Sequence, residues 1–349
     1  MKVLSLFDGM SCGRIALDQL GIPVEKYYAS EIDKYAMQVS AANYPDIEQV
    51  GDICNLDPQD YMDVDLMLAG SPCQGFSFAG KQLAFDDPRS VLFFEFIRLL
   101  KAIKPKYFLL ENVRMKKEFL QVISQQVSEC YPEIPFGIEP IFINSSLVSA
   151  QSRQRYYWTN IPGIKQPEDR GIVLRDILET EPDNFTKMSD KFIKRNGDRN
   201  CMIDQSKEKA SNLSAMEYVK NGRQGNYLAC DDNGKPLVVG GAFRGRAYDE
   251  DGKRKDRDGS SVAKQTKQML ELRKDNKSNA ITTVGKDSVV ANEDLTWRKL
   301  TCRECEALQT VPRDYTNHVS NTQRYKMLGN GWTVEVIKHI LQEMEYEDR

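Results

Sequence analysis

The strongest constraint on the fold is an alternation in the first third of the chain, where short strand-like runs are each followed by a run with helical spacing. Lys2 to Phe7 reads as a strand, Ser11 to Leu20 as a helix, Lys26 to Glu31 as a strand and Lys34 to Asn43 as a helix. The pattern continues with a strand at Leu66 to Ala69. A helix follows from Ser90 to Lys101, in which Leu92, Phe93, Phe96, Leu99 and Leu100 keep the helical period. Tyr107 to Leu110 is the next strand, stopped by Glu111-Asn112. Strands joined through helices can only run parallel, so the expectation is an α/β fold with a doubly wound sheet. The 349 residues leave room for a second, smaller domain.

After about Pro162 the texture changes. Asn, Gly, Lys and Arg accumulate, and Asn196-Gly197, Asn221-Gly222, Asp232-Asn233-Gly234 and Asp251-Gly252 read as turns. Lys187 to Lys299 holds 24 Lys and Arg against 17 Asp and Glu, a surplus of +7 inside a chain whose net charge is -3. A basic, loop-rich second domain is expected there. Regular structure resumes with helices around Arg303 to Leu308 and from Thr333 to Glu343.

The richest apolar stretch, Val91 to Leu100, is broken by Glu95 and Arg98 and falls short of the roughly 20 residues that cross a bilayer. Asp8 ends the apolar start at Met1 to Phe7 too early for a leader peptide, so a cytoplasmic location is expected. Eight scattered cysteines suit a reducing compartment. Cys302 and Cys305 form one Cys-x-x-Cys without a second pair or a nearby histidine, which reads as helix packing and gives no metal site. With His318 and His339 as the only histidines, a Ser-His-Asp or Cys-His hydrolase is disfavoured.

Seven short blocks carry chemistry. Phe7-Asp8-Gly9-Met10-Ser11-Cys12-Gly13 joins the first strand to the first helix, where glycines let a backbone approach a ligand. Glu31 ends the second strand 22 residues after Gly9, close to the roughly 20 residues at which such folds place a carboxylate for a ribose diol. Asp52-Ile53 could hold a base by a hydrogen bond and an apolar wall, although a cap is the ordinary role of such an Asp. Gly70-Ser71-Pro72-Cys73-Gln74-Gly75-Phe76-Ser77 follows a strand and sets Cys73 among polar and small residues, which favours a nucleophile over inert core. Glu111-Asn112-Val113 puts a carboxyl group on the same edge, able to donate a proton if enclosed. In Gln151-Ser152-Arg153-Gln154-Arg155 the alternate residues share a face, so Arg153 and Arg155 would point at an anion or a carbonyl oxygen. Leu328-Gly329-Asn330-Gly331-Trp332 reads as a bent turn before the last helix.

In this order the blocks resemble the DNA (cytosine-5) methyltransferase family, over Lys2 to about Pro162 and again over about Leu300 to Ile340. Phe7-Asp8-Gly9, Leu92-Phe93-Phe94-Glu95-Phe96 and Arg155-Tyr156-Tyr157-Trp158 are most similar to the catalytic domain of the vertebrate de novo enzymes. Two blocks depart from the common pattern. Met10, Ser11 and Cys12 stand before Gly13 where many members carry Gly-x-Gly-Gly, and Gly329-Asn330-Gly331-Trp332 replaces the commoner Gly-Asn-Ser-Val. The resemblance implies a Rossmann-like domain of residues 1–165 and 300–349 that binds S-adenosyl-L-methionine, and a target-recognition domain of residues 166–299.

The resemblance assigns the cofactor to Phe7, Asp8, Gly9, Ser11, Cys12, Gly13, Glu31, Ile32, Asp52, Ile53, Ser71, Pro72, Leu92, Asn330, Gly331 and Trp332. Catalysis falls to Cys73, Glu111, Arg153 and Arg155: the Cys73 thiolate adds to C6 of a flipped cytosine, Glu111 holds or protonates N3, and Arg155 with Arg153 binds O2 and neighbouring phosphate. Gln74 and Ser77 are expected to touch double-stranded DNA. Arg244 and Arg246 join them because small neighbours in Gly240 to Arg246 let a backbone approach a groove. A monomer is expected, and a cognate restriction endonuclease is the one protein partner the resemblance allows. The alternatives are the same chemistry on RNA, whose branch usually carries Cys-Phe-Thr near its catalytic motif, and a dinucleotide oxidoreductase, whose Gly-x-Gly-x-x-Gly is absent. A catalytically dead DNA-binding protein is disfavoured by the intact Cys73 and Glu111.

Overall fold

The computed structural model describes residues 1–71, 91–179 and 300–345, together with six short strands between 228 and 298. A seven-stranded sheet runs through its centre. β1 (Lys2–Leu6), β2 (Lys26–Ser30), β3 (Glu48–Gln49), β4 (Leu66–Ala69), β5 (Tyr107–Val113), β6 (Ile141–Asn144) and β8 (Gln154–Thr159) lie in the order β3-β2-β1-β4-β5-β8-β6. The first five are parallel, and β8 runs antiparallel to β5 and β6. The expected doubly wound α/β fold is therefore present, with an antiparallel pair added at one edge. β7 (Gln151–Ser152) leaves this sheet to pair in parallel with β12 (Ser278–Asn279).

The pleat sends alternate side chains into two cores. Val3, Leu66, Leu68 and Leu109 enter one, and Leu4, Met67, Ala69, Phe108 and Leu110 the other. The second core is closed by Phe93, Phe96, Leu99 and Leu100 of α3 (Val91–Ile103) and by Phe119, Ile123 and Val127 of α4 (Lys117–Cys130). The first core is closed from both ends of the sequence. Ile15, Ala16 and Leu17 of α1 (Cys12–Gln19) meet Val336, Ile337, Ile340 and Leu341 of the last helix, α7 (Val334–Leu341). Around them stand α2 (Lys34–Asn43), α5 (Cys302–Leu308) and α6 (Asn321–Asn330). Cys302 and Cys305 are both buried in α5.

Two expectations are corrected. β5 does not stop at Leu110 but continues through Glu111-Asn112-Val113, because β8 pairs with those residues. Leu328 to Asn330 is the last turn of α6 and not a free bend, with Gly331 as its C-cap. Gly240 to Arg246 forms the strand β10, antiparallel to β11 (Lys267–Leu272) and β13 (Val289–Val290), with Arg244 opposite Met269 and Arg246 opposite Lys267. β9 (Leu228–Cys230) pairs antiparallel with β14 (Thr296–Arg298).

Candidate active site

The chain builds outward from β1 to β2 and β3, then returns to lay β4 and β5 on the other side of β1. Such a reversal opens a crevice at the carboxyl ends of the strands. Phe7 to Ser11, Glu31 and Gly70-Ser71 all leave the sheet there.

The first loop is contorted. Phe7, Gly9 and Ser11 have φ of 57°, 61° and 63°, a left-handed conformation that costs on the order of 1–3 kcal/mol at each non-glycine residue. Two carboxylates hold it. Oε2 of Glu31 accepts the Gly9 N–H at 2.8 Å, while Oε1 accepts the N–H groups of Ile32 and Asp33 at 2.7 and 2.8 Å. Oδ1 of Asp8 accepts the Tyr27 hydroxyl at 2.8 Å and Oδ2 accepts the Ser11 hydroxyl at 2.5 Å. Burial pushes the Asp8 carboxyl up to about 6, against the lowering effect of its hydroxyl donors and with the Glu31 charge adding to the rise.

The segment after α5 closes this loop from above. The Tyr315 hydroxyl donates to the Met10 carbonyl at 2.8 Å. A Cβ on Gly331 would come within 2.8 Å of Met10 Cε, the flexible end of a side chain, and 3.1 Å of the Met327 carbonyl, so the position is tight. A Cβ on Gly70 would stand 2.9 Å from Nε1 of Trp332, which puts the indole against the end of β4. The Cys12 thiol points at the Trp332 carbonyl at 3.8 Å, and burial pushes it up to about 12, so it packs as a neutral thiol. Gly13 abuts Leu68, with Tyr27 Oη 3.1 Å from where its Cβ would be.

A third group gathers on β5 and β8. In their antiparallel register Glu111 faces Tyr157 and Val113 faces Arg155, which makes Glu111 and Arg155 diagonal neighbours on one face. Nε of Arg155 lies 2.7 Å from Oε1 of Glu111, an ion pair whose N–H is not aligned for a hydrogen bond. Asn112, on the opposite face, donates from Nδ2 to the Ser71 hydroxyl at 3.1 Å and so ties β5 to the residue that precedes Pro72 in sequence. Arg153 has other partners than Arg155. Its guanidinium donates to the carbonyls of Gly329 and Gly331 at 3.2 and 2.8 Å, and burial, reinforced by Arg155, lowers it to about 9.

The remaining expected residues are dispersed. Ile32 is 75% exposed beside Glu31. Asp52 accepts the Cys54 N–H at 3.0 Å, the cap role foreseen as its ordinary one, and Ile53 is buried in the second core. Leu92 is half-buried on α3 and Asn330 is exposed. Pro72, Cys73, Gln74 and Ser77 lie outside the described residues, as do the side chains of Arg244 and Arg246. Sequence reasoning missed Tyr27, Ser40, Gln309 and Tyr315, which brace these groups. Each is a lone polar residue in an ordinary context and leaves no spacing signal.

The family model for C-5 cytosine-specific DNA methylases matches residues 1–346. The Type II methyltransferase M.NlaX of Neisseria lactamica is 30% identical over 363 residues, covering 99% of this chain and 96% of that protein. M1.ScrFI of Lactococcus lactis subsp. cremoris is 29% identical over 355 residues, covering 98% and 77%. Among solved structures the Dnmt2 methyltransferase of S. pombe shares the fold, with a TM-score of 0.59 at 17% identity over 98% of this chain and 97% of its own. With a crevice at the reversal of a doubly wound sheet and a family match that takes in both the first strand and the last helix, the chain belongs to the C-5 cytosine-specific DNA methylase family.

Proposed function

We propose that the crevice between β1 and β4 holds S-adenosyl-L-methionine and that the pocket walled by Glu111 and Arg155 receives the target cytosine. As a family member the chain is a DNA (cytosine-5) methyltransferase, and the match favours DNA over the RNA alternative. The observation that carries the residue-level reading is the convergence of the Glu31-Gly9 bond, the Ser71-Asn112 bond and the Glu111-Arg155 pair on one edge of the sheet.

The crevice fits the cofactor. A Cβ built on Gly9 meets no atom of the described residues within 4 Å, and the exposed Ile32 offers an apolar face beside the Glu31 carboxylate. Glu31 would accept from the ribose hydroxyls, while Gly331 and Trp332 would wall the methionine end. When bound, S-adenosyl-L-methionine supplies an electrophilic methyl group.

The protein's own part is to make C5 nucleophilic. Cytosine inside a base pair is out of reach, so the nucleotide is flipped out at a cost of a few kcal/mol. The Cys73 thiolate forms a bond to C6, and the ring electrons move towards C5 and N3. Glu111 holds or protonates N3 so that charge does not accumulate there. Arg155, aligned by its pair with Glu111, binds O2. Arg153, spent on two backbone carbonyls, supports this reading as the group that ties the strand to Gly329-Gly331. After transfer a base or water takes the C5 proton and the C6–S bond breaks.

Residues 166–299, with Arg244 and Arg246 on β10, are proposed to read the DNA. Relatives include Type II enzymes and phage-borne orphan methyltransferases such as M.Rho11sI of Bacillus phage rho11s, so a cognate endonuclease stays within the proposal, as do a monomeric state and a cytoplasmic location. Among the described residues no helix is long and apolar enough to cross a membrane. The test is a duplex with 5-fluorocytosine at the target, mapped first by bisulfite sequencing of a methylated plasmid. Wild type is trapped covalently, and Cys73→Ala loses both trapping and turnover while cofactor affinity stays. Retained turnover in Cys73→Ala would sink the assignment.

A further inference from the structure

Asp8 is a buried carboxyl group for which the mechanism above has no use. The residue as a whole keeps some exposure, but the carboxyl is enclosed, and it accepts from two hydroxyls, Tyr27 at 2.8 Å and Ser11 at 2.5 Å. Ser11 is the N-cap of α1, where a serine hydroxyl normally accepts a first-turn N–H. Here it makes no such bond. It is left-handed, with φ 63° and ψ 43°, and its hydroxyl is shared between Asp8 and Ser40, the latter at 2.5 Å. The backbone from Gly9 to Ser11 thus has its shape set by an enclosed carboxylate that holds the Ser11 hydroxyl.

We propose that Asp8 is a positioning residue for cofactor binding: its ionised carboxylate fixes the left-handed Ser11 and through it the loop backbone that faces the crevice. This rests on the reading that the crevice holds S-adenosyl-L-methionine. An ionised carboxylate only accepts, which matches its two hydroxyl donors. A protonated one must donate. On the Oδ2 side it meets Ser11 Oγ, whose own proton must then turn to Ser40, and the restraint on Ser11 is weakened.

The groups that face Asp8 are Tyr27 from within β2, Glu31 just after its end, Cys12 from α1 and Tyr315 from the segment after α5. Burial pushes Tyr27, Cys12 and Tyr315 up, so they stay neutral in the acid and neutral range. Among the described residues no Lys or Arg pairs with Asp8. The site therefore tolerates an uncompensated buried charge, an arrangement that lowers stability. Its carboxyl is raised to about 6, so its stabilising contribution is full below the unfolded value near 4 and is lost as pH rises through 6.

Calorimetry with S-adenosyl-L-methionine, together with thermal unfolding of the unliganded protein, tests this. Wild-type affinity should fall roughly tenfold from pH 7.5 to 5, while Asp8→Asn should be about tenfold weaker at pH 7.5 and flat with pH, the size of one charge-assisted hydrogen bond lost. At pH 8 Asp8→Asn should melt higher than wild type, whereas a purely structural Asp8 would make it melt lower. Ser11→Ala is the second variant, expected to weaken binding by a similar factor and to add nothing when combined with Asp8→Asn. Equal affinity of Asp8→Asn and wild type at pH 7.5, or a pH dependence that survives in Asp8→Asn, overturns the proposal. Undiminished binding in Glu31→Ala is a separate result that moves the cofactor away from this loop and removes the reading beneath it.

Discussion

Glu31 has work in the free protein before any ligand arrives. Its two oxygens hold the N–H groups of Gly9, Ile32 and Asp33, so the carboxylate that would meet a ribose diol is already oriented. Preorganisation of this kind lowers the ordering cost of binding. Glu31→Ala should weaken S-adenosyl-L-methionine binding by ~1.5–3 kcal/mol, the worth of a hydrogen bond to a charged group. Calorimetry measures it, and an unchanged affinity in a folded variant would place Glu31 outside the pocket. The position of Glu31 was legible because a strand end at a set distance from a glycine turn is a spacing signal. The Glu111-Arg155 contact was not, since it depends on the register of two strands distant in sequence, which no local pattern encodes.

At the scale of elements, the parallel strands and α1, α2, α3 and α7 followed from alternation and period. α6 did not, because its residues Thr322, Gln323, Arg324, Lys326, Gly329 and Asn330 give little apolar periodicity. It is held by tertiary contacts: Arg324 pairs with the buried Glu306 of α5 at 3.1 Å, and the Tyr325 hydroxyl reaches the Leu300 carbonyl at 2.6 Å. β5 outran its expected end for a related reason, since polar residues that line a site break the apolar run that marks a strand. The cap of α6 bears directly on β4, through Trp332 and Gly70. Gly70→Ala should therefore displace the indole and destabilise the protein by ~1–3 kcal/mol, the usual cost of overpacking. Urea unfolding of Gly70→Ala, Trp332→Ala and the double variant checks this. The double variant should be less destabilised than the two single losses added together, because the collision is absent once the indole is gone.

For the molecule as a whole, the contrast between a basic middle and an acidic remainder is what the proposed division into a DNA-reading and a catalytic domain would use. When a domain grips phosphates, the logarithm of its affinity falls linearly with the logarithm of salt, with a slope of about 0.9 per contact. If Arg244 or Arg246 touches phosphate, its change to Ala should weaken binding to all duplexes alike and reduce that slope by about one unit. If it reads a base, the loss should be ~1–3 kcal/mol at one position of the site, with relaxed choice there. Isotherms on cognate and scrambled duplexes at several salt concentrations distinguish the two, and no change in either places the contact elsewhere.

Because Ile15 and Leu17 of α1 pack with Ile337 and Ile340 of α7, and Met10 is held by Tyr315, a loop that leaves the ribosome early is finished by residues that follow late. During synthesis residues 166–299, proposed to read the DNA, emerge before the first core is complete. A ribosome stalled before residue 300 should display a chain that can touch DNA yet retains no S-adenosyl-L-methionine, and release past residue 345 should switch retention on. On that reading the proposed cofactor crevice is complete only once the segment that carries α7 has emerged.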